Sequence, residues 1–229
     1  MDITEMIRQH FENEAKEFDG IILKLIPNYM EMIGALVLSI PHDRKSAIRV
    51  MDLGCGTGTV AKLVKDTFPN ARIDCLDLSE KMLQMAQTKL NDCSDVTYNV
   101  GDFYSHNFSG TYDVIVSSLA LHHLVTDDDK RMFYGKIYDT LSVGGVFYNA
   151  DVVLGSSEYL QQVYLGKWKE FMGRSVSQDD VENIWMVKYK QEDSPSILAR
   201  QLKWLEDIGF KGVDVVWKYF NYGVYGGQK

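Results

Sequence analysis

Apolar positions along the chain switch between a helical and a strand period. From Asp2 to Phe18 they fall at Ile3, Ile7, Phe11, Ala15 and Phe18, one face of a helix. Pro27 opens a second predicted helix through Ser39, at the first-turn position where its missing N–H costs nothing. Five short apolar runs read as strands: Ala47–Asp52, Arg72–Asp77, Val96–Val100, Tyr112–Ser117 and Val146–Val153. Helices separate most of them. One runs from Thr59 to Phe68. One is capped by Ser79 and runs through Leu90. One is capped by Thr126, runs through Leu141 and is closed by Gly144-Gly145. This alternation predicts an α/β fold with a mainly parallel sheet between helices.

After the fifth strand the pattern changes. Ser156 to Asp193 is helical in period, and Ser194-Pro195 starts a further helix ending at Gly209. Val213–Tyr219 and Tyr222–Tyr225 alternate as a hairpin around Asn221, which adds one antiparallel strand. The expected organisation is one domain over 1–229, with a helical lid over 1–45 and a helical insertion over 154–193.

The chain has 229 residues, 45% of them hydrophobic, and a net charge of −8. That suits one well-cored domain and weighs against a nucleic-acid binder relying on general phosphate attraction. Met1-Asp-Ile-Thr-Glu lacks the basic and apolar regions of a signal peptide, and the apolar run Ile33–Ile40 is too short to cross a bilayer. Cys55, Cys75 and Cys93 form no CxxC pair, so free thiols in a reducing cytoplasm are expected. His10, His42 and His106 show no metal-ligand spacing, and no metal is expected.

The most specific signal is Val50-Met-Asp-Leu-Gly-Cys-Gly-Thr-Gly58, a strand running into alternating glycines and then a helix. A Walker loop needs Gly-Lys-Ser/Thr, and a dinucleotide fingerprint needs GxGxxG; neither is present. Asp52, two residues before Gly54, repels a pyrophosphate and suits an ammonium, as in the amino-acid end of S-adenosylmethionine. Asp77 ends the second strand, where a carboxylate can accept both ribose hydroxyls. Asp102 follows the third strand and can accept from an adenine amino group, with Leu78 or Phe103 packed on the ring.

These residues resemble the class I S-adenosylmethionine-dependent methyltransferases over roughly Ala47 to Val153. The resemblance implies a Rossmann-like seven-stranded mixed sheet with the last strand antiparallel. It implies S-adenosylmethionine as cofactor, lined by Gly54, Gly56 and Gly58, with Asp77 on the ribose, Asp102 at the adenine, and Met82 in the helix behind. Ile26-Pro-Asn-Tyr29 with Met32-Ile33-Gly34, and the ending Gly209-Phe…Phe220-Asn221-Tyr, are similar to carboxy-S-adenosylmethionine synthases, tRNA-modification enzymes in which residues at the places of Tyr29 and Ser118 touch the cofactor. That group has asparagine where this chain has Ser118. It also needs an arginine late in the chain for an extra carboxylate; Arg174 and Arg200 are the candidates here.

Chemistry is expected after the fourth strand, in Ser117-Ser-Leu-Ala-Leu-His-His123. His122 or His123 can serve as a base near neutral pH, and Asp151, ending the fifth strand, can meet a substrate. The expected function is transfer of a methyl group to a small molecule. Alternatives are a carboxy-S-adenosylmethionine synthase-like enzyme, a tRNA-modifying enzyme using a basic stripe of Lys167, Lys169, Arg174, Lys188, Lys190 and Arg200, and a non-catalytic S-adenosylmethionine-binding protein. No membrane partner is expected, and a homodimer is left open.

Overall fold

A computed structural model describes residues 3–229. Three helices come first: α1 (Ile3–Glu14), α2 (Phe18–Leu25) and α3 (Tyr29–Leu38). Then β1 (Arg49–Leu53), α4 (Thr59–Thr67), β2 (Arg72–Asp77), α5 (Glu80–Lys89), β3 (Val96–Val100), β4 (Tyr112–Ser118), α6 (Asp127–Thr140) and β5 (Leu141–Val152) alternate. The insertion holds α7 (Glu158–Met172), the single turn α8 (Gln178–Asp180), a π-helical turn at Val181–Trp185, and α9 (Met186–Glu192). α10 (Leu198–Ile208), β6 (Lys211–Tyr219) and β7 (Tyr222–Gln228) close the chain.

The strands form one seven-stranded sheet in the order β3-β2-β1-β4-β5-β7-β6, with β7 antiparallel to both neighbours. The expected mixed sheet is therefore present. Strand order reverses between β1 and β4, so the carboxyl ends of these adjacent strands open a crevice. β1 is buried on both faces. Val50 packs in the layer that contains Met32, Ile33 and Leu36 of α3, and Met51 in the layer that contains Tyr134 and Phe147.

Several boundaries differ from the sequence expectation. The predicted first helix begins at Asp2, which lies outside the described residues, and it stops at Glu14. A separate helix, α2, precedes Pro27, because Pro27 and left-handed Asn28 (φ 55°) break the path; α2 and α3 lie 97° apart. α6 ends at Thr140, and Leu141 is already extended in β5, so Gly144-Gly145 sits inside the strand instead of closing the helix. A Cβ on Gly145 would lie 3.0 Å from the carbonyls of Asp113 and Ser142, so close backbone approach explains the glycine better than a helix stop. Ser79 and Thr126 cap α5 and α6 as expected; Thr126 forms a reciprocal capping box with Asp129.

Candidate functional site

The loop after β1 is held from both sides of the crevice. Gly54 and Cys55 donate to the Leu76 carbonyl at 2.8 and 3.0 Å. Gly54 has φ +67°, and a Cβ there would lie 2.3 Å from the Ala120 Cβ, so both conformation and space demand glycine. Gly58 faces α5 instead, with Ala86 Cβ 3.0 Å from where its own would stand. Asp77 fixes the middle of the loop: one carboxylate oxygen accepts from the Gly56 N–H and the other from the Ser79 N–H, each at 2.8 Å.

The loop forms the floor of a cavity of about 980 Å³, counting the part open to solvent. Tyr29, Asp52, Gly54, Gly56, Asp77, Leu78, Met82, Asp102, Phe103, Ser118 and His123 line it; Gly58, His122 and Asp151 do not. Asp52 is 1% exposed, and neither of its carboxylate oxygens has a hydrogen-bond partner. Burial first, and then the charge of Asp77, push its carboxyl up to about 7. Burial likewise raises Asp77 to about 6. The Ser118 hydroxyl is also buried without a partner. Asp102 closes a turn, accepting from Tyr104 N–H (2.8 Å), Ser105 N–H (2.9 Å) and Ser105 hydroxyl (2.6 Å). Burial would raise its pKa, but these bonds outweigh burial and hold it below the ordinary range.

No Lys or Arg lines this cavity among the described residues. A wall of three acids, one of them a buried carboxylate with nothing to accept, fits a cationic amino acid and does not fit a pyrophosphate. The roof is α1, through Thr4, Ile7 and Phe11. This helix is part of the lid expected over 1–45, and it lines this cavity. α1 is tied down where Glu12 accepts from the Ser79 hydroxyl at 3.0 Å.

A second cavity, of about 790 Å³ on the same measure, adjoins the first and shares Phe11, Phe18, Ile22, Leu119 and His123 with it. Its far side is Trp168, Trp185 and Tyr189 of the insertion. Trp168 ties the insertion to the lid by donating from Nε1 to the Leu25 carbonyl at 2.7 Å. His122 lines only this second cavity, with Nδ1 2.5 Å from Asp151 and Nε2 3.5 Å from Asp193. Burial opposes a charge on His122, but the carboxylates of Asp151 and Asp193 outweigh it and raise the imidazole to about 10. His122 therefore carries a proton at neutral pH and is no free base in this arrangement. Burial, and then the neighbouring His122 charge, lower His123 to about 4. Its Nδ1 donates to the Glu192 carbonyl at 3.1 Å. Asp151 lines neither cavity. Packed against His122 and 2% exposed, it holds that ring instead of facing the crevice as the sequence suggested.

Residues 50–145 match the family model for a methyltransferase domain. The chain has the class I S-adenosylmethionine-dependent methyltransferase fold. It is 28% identical over 141 residues to malonyl-[acyl-carrier protein] O-methyltransferase 1 of Ilyobacter polytropus, covering 61% of this chain and 49% of that one. It is 25% identical over 224 residues to a carboxy-S-adenosyl-L-methionine synthase of Helicobacter pylori, covering 92% and 90%. Among solved structures, phosphoethanolamine N-methyltransferase 2 of Haemonchus contortus with S-adenosyl-L-methionine superposes with a TM-score of 0.69 at 18% identity, covering 94% of this chain and 46% of that one. The chain thus spans about half the length of the first curated relatives it matches. S-adenosylmethionine is the cofactor of this methyltransferase fold, and the unpartnered carboxylate, the glycine cradle and the cation-free wall all fit it.

Neither candidate arginine reaches the crevice. Arg174 and Arg200 are exposed beside Glu170 (3.5 Å) and Asp127 (3.7 Å), and neither lines either of the two cavities described. The basic stripe that the tRNA alternative requires is largely neutralised: Lys167 pairs with Glu170, Lys169 with Glu182, and Lys188 with Glu14.

Proposed function

We propose that this protein is an S-adenosylmethionine-dependent methyltransferase acting on a small-molecule acceptor. The observation that carries this reading is the meeting of the two cavities at His123, Phe11 and Leu119. One cavity takes the cofactor and the other takes the acceptor, with Phe11 of α1 shared between them. Asp52 binds the cofactor's ammonium, Asp77 its ribose, and Asp102 the adenine end, with Leu78, Met82 and Phe103 against the ring. Tyr29 and Ser118 close the methionine side. The bound cofactor supplies a methyl group on a positively charged sulfur. The chain supplies placement: an acceptor atom beside His123 in line with that methyl group.

The second cavity is lined mainly by apolar and aromatic side chains, as small-ligand sites are, and the pairing of Lys167, Lys169 and Lys188 with acids leaves little positive field for a nucleic acid. The test is native mass spectrometry of the purified protein, followed by denaturation and identification of what is released. S-adenosylmethionine or S-adenosylhomocysteine supports the reading. A carboxylated derivative moves the chain to cofactor remodelling, and a nicotinamide dinucleotide overturns the assignment of the glycine loop.

A further inference from the structure

The wall of the second cavity brings together three side chains able to ligate a metal ion. His122 and His123 lie in the turn after β4, while Asp193 follows α9 at the end of the insertion. The Ser194 N–H donates to the His122 carbonyl at 2.9 Å and pins the two segments side by side. Asp193 Oδ1 stands 3.5 Å from His122 Nε2 and 3.7 Å from His123 Nδ1. One ligand atom from each residue lies within 4.8 Å of the other two, the one such trio among the described residues. A tetrahedral ion with bonds of about 2.0–2.1 Å keeps its ligands about 3.3 Å apart. The two Asp193 contacts need to contract by only a few tenths of an ångström to meet that spacing.

The surroundings of His122 are those of a ligand. Asp151 occupies Nδ1 at 2.5 Å, which leaves Nε2 as the nitrogen that faces Asp193. A carboxylate behind a histidine fixes its tautomer and raises its basicity at the metal. Asp151 is itself steadied by the Asn149 amide (3.2 Å) and the Val152 N–H (2.9 Å). His123 joins by exchanging its Nδ1 bond to the Glu192 carbonyl for the ion. Two carboxylates, Asp151 and Asp193, stand against the imidazoles, Asp151 and His122 being buried, and a divalent ion with neutral imidazoles balances their charge.

We propose that His122, His123 and Asp193 bind a divalent transition-metal ion, with zinc the best fit to a nitrogen and oxygen donor set, and that the ion holds the acceptor heteroatom beside the cofactor cavity. The second half rests on the methyltransferase reading; the first does not. Three protein ligands leave a fourth position for a hydroxyl or thiol of the acceptor. That group loses its proton to solvent on binding the ion, and its lone pair then attacks the methyl carbon. The new bond to carbon forms as the carbon–sulfur bond breaks, and the electron pair stays on sulfur as S-adenosylhomocysteine. No oxidant or reductant is involved.

The test is titration of the metal-free full chain with cobalt(II), read by visible absorption, with zinc(II) as competitor. One equivalent should give the intense bands of low-coordinate cobalt, and zinc should abolish them. Asp193→Asn should weaken binding at least tenfold, while His10→Gln, changing a histidine in the same cavity but outside the trio, should leave it unchanged. Circular dichroism and S-adenosylmethionine titration on the same samples establish that each variant is folded. Absence of saturable cobalt binding, or equal binding in Asp193→Asn, overturns the metal site. If cofactor binding survives that result, the methyltransferase reading stands; if cofactor binding alone fails, that reading falls and the metal site stands.

Discussion

The carboxylate of Asp77 accepts the backbone N–H of Gly56 at 2.8 Å. The end of β2 thus sets the shape of the glycine loop before any ligand arrives, and the same carboxylate is the one proposed to meet the ribose. Structural and binding roles fall on one side chain because the loop and the cofactor approach the same strand end.

Asp77→Ala is therefore expected to act twice. It leaves the Gly56 and Ser79 N–H groups without their acceptor, at a cost of about 1–3 kcal/mol each if they stay dry. It should also weaken S-adenosylmethionine binding more than tenfold. Asp77→Asn keeps one carbonyl oxygen and should recover part of the stability but less of the affinity. Chemical denaturation and calorimetric titration separate the two effects, and equal affinity in wild type and Asp77→Ala would rule out the ribose role.

Asp52 links binding to pH. Its carboxyl is held at about 7, so the empty site is substantially protonated at and below neutrality. A cofactor ammonium needs the carboxylate, and affinity should fall toward tenfold per unit as pH drops below that value. The stability sign is opposite to that of an ordinary paired aspartate. Between the unfolded value near 4 and about 7 the folded chain binds more protons than the unfolded chain, so this group destabilises as pH rises. Asp52→Asn should stabilise the empty protein above neutral pH and abolish most cofactor binding. A variant that binds S-adenosylmethionine normally at every pH would refute the ammonium contact.

Gly54→Ala combines a left-handed φ of +67° with a Cβ set 2.3 Å from that of Ala120. Conformation alone costs about 1–2 kcal/mol, and the contact forces the loop or the turn after β4 to move. A lower midpoint of thermal unfolding and a large loss of cofactor affinity are expected. A variant matching wild type on both measures would show that the loop is not the rigid cradle described.

The lid and the insertion meet at His10, which bonds Glu192 across the fold and lies 2.9 Å from Glu14 in its own helix. Burial lowers its pKa, but the two glutamates outweigh burial and raise it to about 9. The folded value is above the unfolded one, so the stabilisation is complete below about 6.5 and is lost as pH rises through about 9. After solvent screening it is of order 1 kcal/mol. The stability gap between wild type and His10→Gln should be widest near pH 6 and close toward pH 10. A gap that does not change with pH would assign His10 a packing role only.

The sequence alone determined much of this protein. The glycine loop, the acids at the ends of β1, β2 and β3, the caps at Ser79 and Thr126, and the single reversed strand depend on local period, glycine conformation and side chain to backbone hydrogen bonds. These act within a few residues, and their signatures stand in the chain order. The tertiary structure decided which groups meet. Asp151 lies under His122 from 29 positions away, and Glu192 reaches His123 from 69 positions away. No local pattern marks those partners. The break at Pro27-Asn28 and the passage from α6 straight into β5 were settled the same way, by packing on the sheet. Propensity differences of under about 1 kcal/mol per residue give way there to the burial of whole side chains, which is worth about 1.5–3 kcal/mol each.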